Sequence, residues 1–124
     1  MKAFVPAFIW AIVILFLTLT PGQFLPKVDY WAVFSLDKYV HFGIFAIQSV
    51  LLFLGAWKNH KLGSITVKLH LFLIAVIFGI MIELLQTLIP HRSFDVNDMV
   101  ANTVGCLLGL VFAIFLDQIK RAKA

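Results

Sequence analysis

Four apolar runs, each close to the length of a membrane-spanning helix, constrain this chain more than any other feature of its sequence. They cover residues 3–20, 39–57, 67–89 and 96–119, and a helix needs about 20 apolar residues to cross the hydrocarbon core of a bilayer. Hydrophobic residues make up 62% of the chain and charged residues 13%. A soluble domain of this size cannot bury so much apolar surface. The sequence therefore predicts an all-α, polytopic membrane protein.

The segments between these runs complete the predicted architecture. Pro21, Gly22 and Pro26 interrupt helical structure after the first run. Aromatic residues close by indicate that this loop lies along the lipid headgroups. The sequence contains neither an internal repeat nor a change of composition that would mark a second domain. We expect residues 1–124 to form one domain, a compact bundle of four transmembrane helices with an interfacial first loop.

The basic residues predict how the bundle is oriented. Seven of the ten Lys and Arg residues flank the N-terminus, the second loop and the C-terminus: Lys2, Lys58, Lys61, Lys68, Lys120, Arg121 and Lys123. Cytoplasmic segments of membrane proteins carry an excess of Lys and Arg. We therefore expect both termini and the second loop on the cytoplasmic side of a bacterial plasma membrane. The first and third loops then face the extracytoplasmic side.

Polar side chains occur on three of the predicted helices at one level, the outer half of the membrane. They are Asp37, Lys38 and His41 at the second run, Glu83 and Gln86 in the third, and Asp95, Asp98 and Asn102 at the fourth. Within each helix these residues are mostly three or four positions apart, so they share a face. Ionisable groups inside spanning segments are rare and usually face a bundle interior or a wet cavity. We therefore expect one shared polar site that opens to the exterior.

Glycines extend two of these polar stripes towards the inner half of the membrane. Gly79 continues the stripe of the third run, and Gly105 and Gly109 continue that of the fourth. Small residues at four-residue spacing let helix backbones approach closely in lipid. The pattern predicts a tight helix interface beside the polar side chains. Because the same pattern also serves dimers, the choice between a monomer and a homodimer stays open.

Simpler roles compete with a functional role for several of the polar residues. Asp95 precedes the fourth helix and is a good N-cap. Gln86 and Asn102 are suited to hydrogen bonds between helices, and Arg92 to anchoring at the lipid phosphates. Glu83 is different, because it lies nearly two turns inside its predicted helix, where no cap is needed. It is therefore the strongest candidate for a site residue.

The first functional hypothesis is an enzyme-like site that acts on an amphiphile, such as a lipid-linked cell-wall precursor or a phospholipid. Its catalytic candidates are Glu83, His41 and Asp98, because buried carboxylates and imidazoles are tuned towards acid–base chemistry near neutral pH. Cationic side chains would hold a phosphate or carboxylate, and Arg does so with two hydrogen bonds. The substrate-binding candidates are Lys38, Asp37, Arg92, Gln86, Asp95 and Asn102.

The same polar layer supports other hypotheses. A divalent cation would find oxygen and imidazole ligands on Asp37, His41, Glu83, Asp95 and Asp98. The chain contains no compact metal-binding motif, so the sequence alone assigns no metal ligand. A module that captures a headgroup or an antibiotic without changing it, and a purely structural hydrogen-bond network, are the remaining alternatives. Nucleic acid is not an expected partner, because the basic residues are scattered at membrane edges.

Four short motifs in fixed order identify a family. Residues 37–42 read DKYVHF, residues 83–86 read ELLQ, residues 92–98 read RSFDVND and residues 101–105 read ANTVG. Together they closely resemble the VanZ-like family of small membrane proteins, over nearly the whole chain. The resemblance implies a compact bundle of about four or five spans. It also implies a link to low-level resistance against glycopeptide antibiotics, particularly the lipid-tailed teicoplanin, and it supplies no reaction mechanism.

Overall fold

The computed structural model describes residues 2–21, 30–59 and 63–122, with only the backbone described for residues 30–35. All regular structure in these ranges is helical. The four α-helices are α1 (Val5–Thr18), α2 (Tyr30–Lys58), α3 (Ile65–Gln86) and α4 (Val96–Ala122), and a 3-10 turn, Lys2–Phe4, precedes α1. The predicted all-α membrane fold is confirmed.

Three of the helices are long and apolar enough to cross a membrane: α2 from Leu36 to Lys58, α3 and α4. The first apolar run forms a shorter helix than predicted, Lys2–Thr18 with its 3-10 turn included. At 1.5 Å per residue, α1 itself extends about 21 Å, less than the hydrocarbon core of about 30 Å. The bundle thus consists of three full-length spans and one shorter apolar helix.

The start of α2 differs from the prediction. The helix begins at Tyr30 and not at residue 39, because no Pro or Gly occurs between Pro26 and Gly43 to stop it. Asp37 and Lys38 therefore lie well inside the helix and not at its end. The predicted interfacial loop, residues 21–38, becomes shorter, and its residues 22–29 lie outside the described part of the chain.

The end of α3 also differs from the prediction. The helix ends at Gln86 and not at Ile89, because the chain tightens there into turns with hydrogen bonds between residues three apart. The Leu88 amide donates to the Leu85 carbonyl at 3.1 Å, and the Ile89 amide to the Gln86 carbonyl at 3.0 Å. Such tightened turns are common at helix C-termini. Glu83 is therefore about one turn from the end of its helix, not nearly two.

The distribution of polar and apolar side chains is the reverse of that in a soluble protein. Large apolar side chains such as Phe8, Phe16 and Leu88 are exposed on the outside of the bundle, whereas Glu83 and Asn102 are buried. Lipid tails solvate apolar side chains, and polar groups in such a solvent need partners inside the protein. The exposed apolar surface is therefore a lipid-facing surface.

The interface between α2 and α4 is the closest helix contact in the bundle. A methyl group added to Gly105 would lie 2.9 Å from the Ala46 amide nitrogen, and closer still to the Phe42 carbonyl. One turn along α4, Gly109 packs against Ser49, whose hydroxyl donates to the Cys106 carbonyl at 3.0 Å. The glycine stripe of α4 thus faces α2 of the same chain. This contact fixes the two helices that carry most of the polar side chains.

The remaining contacts define the two ends of the bundle. The Trp10 indole donates to the Ile44 carbonyl at 2.9 Å and attaches α1 to α2. Phe4 packs against Gly55 near the end of α2, and the Arg121 guanidinium donates to the Gly63 carbonyl at 3.2 Å. The N-terminal turn, the start of α3 and the end of α4 therefore share one end. The polar side chains of the third loop lie at the other.

Candidate functional site

Seven polar residues from three helices meet at one end of the bundle and form what we call the polar cluster: Asp37, Lys38 and His41 of α2, Glu83 of α3, and Asp95, Asp98 and Asn102 at the start of α4. Residues four apart on a helix share a face, and that spacing turns Asp37 and His41 in the same direction. The helix ends thus bring together side chains that are up to 65 positions apart, from Asp37 to Asn102.

An ion-pair group joins α2 to the start of α4. The Lys38 ammonium lies 2.9 Å from Asp98 Oδ1 and 3.2 Å from Asp95 Oδ2. Asp98 is buried, whereas Asp95 is partly exposed. The ammonium is therefore occupied by two carboxylates. This arrangement leaves Lys38 less suited to bind a ligand anion than its sequence position suggests.

Asp95 is also the N-cap of α4, as its position in the sequence predicts. Its Oδ1 accepts a hydrogen bond of 2.7 Å from the Asn97 amide. Partial burial by itself raises the pKa of Asp95, but the hydrogen bonds from the Asn97 backbone and from Lys38 outweigh it and hold the pKa below its ordinary value. One side chain thus caps a helix and pairs with a cation.

A chain of buried hydrogen bonds joins α2, α4 and α3. Asn102 Nδ2 donates to Glu83 Oε1 at 3.1 Å, and Asn102 Oδ1 lies 3.0 Å from His41 Nδ1. With the amide in this orientation, its oxygen only accepts, so His41 Nδ1 carries the proton and donates. Glu83 Oε1 is also 3.5 Å from His41 Nδ1. The neutral imidazole therefore has its lone pair on Nε2.

The other edge of the imidazole faces two carboxylates. His41 Nε2 lies 3.8 Å from Asp37 Oδ1 and 3.9 Å from Asp98 Oδ2. The His41 side chain is only 2% exposed, whereas that of Asp37 is 38% exposed. The cluster is thus closed around Glu83 and more open around Asp37.

Glu83 occupies the least accessible position of the cluster. Its side chain is fully buried and the Asp95 backbone amide points towards its carboxylate, but the second oxygen, Oε2, makes no hydrogen bond of good geometry with any described residue. A buried carboxylate without full hydrogen bonding is costly. The cluster as a whole holds four carboxylates but one ammonium and one imidazole. Its carboxyl groups therefore outnumber its cationic side chains.

Two of the predicted site residues lie outside this cluster. Gln86 Nε2 donates to the Thr18 carbonyl at 3.0 Å, at the end of α1, which agrees with the alternative role of a hydrogen bond between helices. Arg92 lies in the loop after α3, where its Nε is buried and makes no hydrogen bond with any described residue. Its neighbour His91 adopts a left-handed backbone conformation, φ 61°. Arg92 is therefore near the same end of the bundle without joining the polar cluster.

A second group of charges, which we call the Lys68 cluster, was not predicted. It consists of Lys68, Asp117 and Arg121 at the opposite end of the bundle. The Lys68 ammonium lies 2.7 Å from Asp117 Oδ2, and an Arg121 nitrogen lies 3.1 Å from the same oxygen. Lys68 and Arg121 are predicted as cytoplasmic flanking charges, and no prediction covers Asp117. The signal that reveals the group is Asp117 itself, an acidic residue in an apolar run, four positions before Arg121.

The arrangement at the polar cluster supports two kinds of chemistry. His41 Nε2, with its lone pair directed away from Asn102, is placed to accept a proton, and Glu83 is placed to stabilise the resulting imidazolium. Nε2 and the two carboxylate oxygens near it are also ligand types that a divalent cation accepts. Their ligand atoms all lie within 4.8 Å of one another.

Comparisons with known proteins agree with the motifs. The family model described as VanZ/LLP1 matches residues 4–117. An uncharacterised protein of Schizosaccharomyces pombe, C11E3.10, is 30% identical over 87 residues, which cover 70% of this chain and 52% of the yeast protein. The chain thus spans about half the length of that relative, and no solved structure matches. With its matching family model and its apolar helices, the chain belongs to the VanZ/LLP1 family of membrane proteins.

Proposed function

We propose that the polar cluster is a site at the outer leaflet that binds the polar headgroup of a lipid-linked or otherwise amphiphilic cell-envelope molecule and acts on it by acid–base chemistry. The observation that carries the proposal is the buried pair of His41 and Glu83, held 3.5 Å apart at the end of the bundle opposite to the predicted cytoplasmic end.

A structural role alone does not account for the composition of the cluster. Hydrogen-bonded amides such as Gln86 are sufficient to connect helices, and each one costs less to bury than a charge. Buried charges offset their desolvation cost only when they have oppositely charged partners in good geometry. In the polar cluster, carboxylates exceed cations, and Glu83 Oε2 makes no hydrogen bond of good geometry within the described part of the chain. An excess of one charge in a buried place is typical of a site at which a ligand or a proton is exchanged.

The geometry suggests a role for each of the catalytic candidates. Asn102 holds the Nδ1 proton of His41, so Nε2 serves as the base on the side that faces Asp37 and Asp98. Glu83, behind the ring, stabilises the imidazolium after proton transfer. The buried Asp98 receives Lys38 on one oxygen and presents the other towards Nε2. This arrangement follows the general logic of a base oriented by a second carboxylate.

The direction of approach follows from exposure. The side chain of Asp37 is 38% exposed, and the loop that carries Arg92 lies at the same end. A headgroup that enters from the lipid surface would meet Asp37 first and His41 behind it. The Arg92 guanidinium would bind the phosphate of such a headgroup with paired hydrogen bonds. The positive-inside rule assigns this end to the extracytoplasmic side, where a lipid-tailed glycopeptide would also be encountered.

The experiment that tests the proposal compares Glu83→Gln with wild type. Purified protein in lipid nanodiscs is incubated with a panel of lipid-linked wall precursors, phospholipids and lysolipids, and the lipids are analysed by mass spectrometry. We expect wild type to convert one class of lipid, and Glu83→Gln to remain folded and lose the conversion. Asp117→Asn is the matched control, because it removes a carboxylate from the other end of the bundle.

The outcomes separate the alternatives. A lipid that co-purifies unchanged with wild type, and is lost from Glu83→Gln, indicates capture without turnover. Equal conversion by wild type and Glu83→Gln overturns the proposal. A Glu83→Gln protein that unfolds, as judged by size-exclusion chromatography, indicates that the cluster is mainly a structural network.

A further inference from the structure

Three ligand atoms from two helices converge on one side of the polar cluster. They are His41 Nε2, Asp37 Oδ1 and Asp98 Oδ2, and the two carboxylate oxygens lie 3.8 and 3.9 Å from the nitrogen. All three ligand atoms are within 4.8 Å of one another. Side chains on rigid helices hold a ligand more accurately than loops do. The group therefore offers three candidate ligand atoms to a cation that draws them closer together.

The hydrogen bonds around His41 determine which of its nitrogens is available. Nδ1 donates to Asn102 Oδ1 at 3.0 Å, because the Asn102 nitrogen is already used in its bond to Glu83. In the neutral ring, Nε2 therefore carries the lone pair, and this lone pair faces two carboxylate oxygens. Electron-rich atoms at such distances repel one another, most strongly where they are buried, as His41 and Asp98 are. A cation placed among them converts that repulsion into attraction.

We propose that Asp37, His41 and Asp98 bind a divalent cation, with Glu83 and Asn102 orienting the imidazole from behind. Histidines that bind metals almost always donate the proton on their other nitrogen to a carboxylate, a carbonyl or water. His41 meets this condition, since Asn102 Oδ1 and Glu83 Oε1 lie 3.0 and 3.5 Å from Nδ1. The buried Glu83 carboxylate lies on the Nδ1 side of the ring, so it acts on the cation position through the orientation of His41.

The chemistry of the three ligands favours Zn²⁺ or Mn²⁺. One imidazole with two carboxylates is softer than the all-oxygen sets that Mg²⁺ and Ca²⁺ prefer. Lys38 does not compete for the position, because it contacts Oδ1 of Asp98 and leaves Oδ2 for the cation. The partly exposed Asp37 leaves one side open. Three protein ligands with an open position are typical of catalytic and not of structural zinc sites.

The cation would also supply what the cluster otherwise lacks for a phosphate-bearing headgroup. Lys38 is neutralised by Asp95 and Asp98, so the residues alone present an excess of negative charge. A divalent cation offsets that excess and coordinates a phosphate or carbonyl oxygen as a Lewis acid. This inference rests on the headgroup site proposed above and deepens it. With the cation bound, His41 Nε2 would be a ligand and not the base, and a water or headgroup oxygen on the cation would lose the proton instead.

The test measures metal binding directly, without any lipid. The purified protein, freed of metal with a chelator in detergent, is titrated with Zn²⁺ by calorimetry and with Mn²⁺ by electron paramagnetic resonance. We expect one equivalent to bind to wild type. Asp37→Asn and Asp98→Asn should each weaken binding by about tenfold or more, and Glu83→Gln by about 10–100-fold, the size expected for a residue that orients a ligand.

A control variant makes the test specific. Asp117→Asn removes a carboxylate at the other end of the bundle and should not change affinity by more than a factor of about two, the usual context dependence of distant sites. Asp37 is partly exposed, so its variant should fold even if the others do not. Binding that is equal in wild type and Asp37→Asn, or that is lost equally in Asp117→Asn, overturns the proposal.

The two proposals fail in different ways. If one equivalent of cation binds as expected but the lipid panel shows neither conversion nor capture, the metal site stands and the lipid function is wrong. If lipid conversion persists at full rate in the chelator-treated protein, the lipid function stands and the metal proposal is wrong.

Discussion

The two charged clusters of this protein lie near opposite ends of α4 and differ in how their charges are matched. In the Lys68 cluster, a single carboxylate, Asp117, receives both cations at 2.7 and 3.1 Å. In the polar cluster, the ammonium pairs with two of the four carboxylates, and the most deeply buried carboxylate, Glu83, faces an imidazole and an amide but no cationic Lys or Arg among the described side chains. Both clusters connect helices, so connection alone does not distinguish them. The difference indicates that satisfied charges serve the fold, whereas unsatisfied ones serve a ligand or a proton.

The largest expected effect comes from a change that should damage both clusters together. Gly105→Leu places a side chain against the Phe42 backbone and 2.9 Å or less from Ala46, which separates α2 from α4. Because backbone atoms cannot move aside like a side chain, the loss of stability should lie at or above the upper end of about 1–3 kcal/mol. Thermal unfolding in detergent, followed by size-exclusion chromatography, measures it.

Gly43→Ala provides the matched control for this substitution. Gly43 lies in α2, and nothing lies within 4 Å of a methyl group added there. This variant should be as stable as wild type or slightly more stable, because Ala favours helix over Gly. If Gly105→Leu unfolds at the temperature of Gly43→Ala, the close α2–α4 contact is not what holds the two clusters in place.

The next largest effect should distinguish the Lys68 cluster as structural. Lys68→Met leaves Asp117 with Arg121 alone, and a buried charge that loses a partner costs about 1–3 kcal/mol. Adding Asp117→Leu should restore most of the lost stability, because an apolar pair replaces a buried ion pair at little cost. Thermal unfolding of the single and the double variant checks this. A double variant less stable than Lys68→Met would contradict it.

A smaller effect on stability is expected for Glu83→Gln. The amide oxygen still accepts the Asn102 hydrogen bond, and the change removes one of several crowded negative charges. We expect the free energy of unfolding to change by less than about 1 kcal/mol, although the lipid conversion proposed above is lost. The same thermal unfolding assay applies. A loss as large as that of Lys68→Met would remove the contrast between the two clusters.

The smallest effect concerns Asp95, and it depends on pH. Asp95→Asn keeps the N-cap, since Asn caps as well as Asp, but loses the charge that pairs with Lys38 at 3.2 Å. For this partly exposed pair we expect a loss of about 0–1 kcal/mol at neutral pH. The pKa of Asp95 is lowered in the folded protein, so the carboxylate stabilises the fold above its unfolded pKa of about 4.

It follows that this stabilisation disappears as pH falls through the folded pKa of Asp95. Unfolding temperatures of wild type and Asp95→Asn, measured from neutral pH downwards, should therefore converge below pH 4, where the unfolded pKa of about 3.9 is passed. If the difference in unfolding temperature between wild type and Asp95→Asn grew towards low pH, the capping hydrogen bond, and not the charge, would dominate at this position.

The sequence was sufficient to predict the helices and the meeting of their polar faces. Spacings of three and four place Asp37 with His41, and Asp98 with Asn102, on single helix faces, and alternating helices bring those faces to one end. Gln86 shows the limit of this argument. It lies on the Glu83 stripe, but at the last turn of α3, where the free carbonyl of Thr18 is its acceptor. Periodicity identifies the face of a residue, not the partner on that face.

The Lys68 cluster shows why some contacts could not be predicted from the sequence. Basic residues at the edge of an apolar run are expected to face the cytoplasm or the lipid phosphates, so Lys68 was not expected to be buried. Its pairing with Asp117 spans 49 positions and depends on where α3 begins and α4 ends. Helix ends are the least predictable feature of a helix. The start of α2 and the end of α3 differ from their predicted positions. These differences change how deep the polar residues lie within their helices.

The Ser49 hydroxyl and the glycines of α4 make α2 and α4 a single rigid unit. Six of the seven residues of the polar cluster belong to that unit or to its N-cap, and α3 contributes only Glu83. A rocking motion of α3 would therefore change the separation between Glu83 and His41 while Lys38 stays paired with Asp98. A headgroup that displaces α3 would thus detach Glu83 from the hydrogen-bond chain through Asn102 and His41 and leave the other six residues in place.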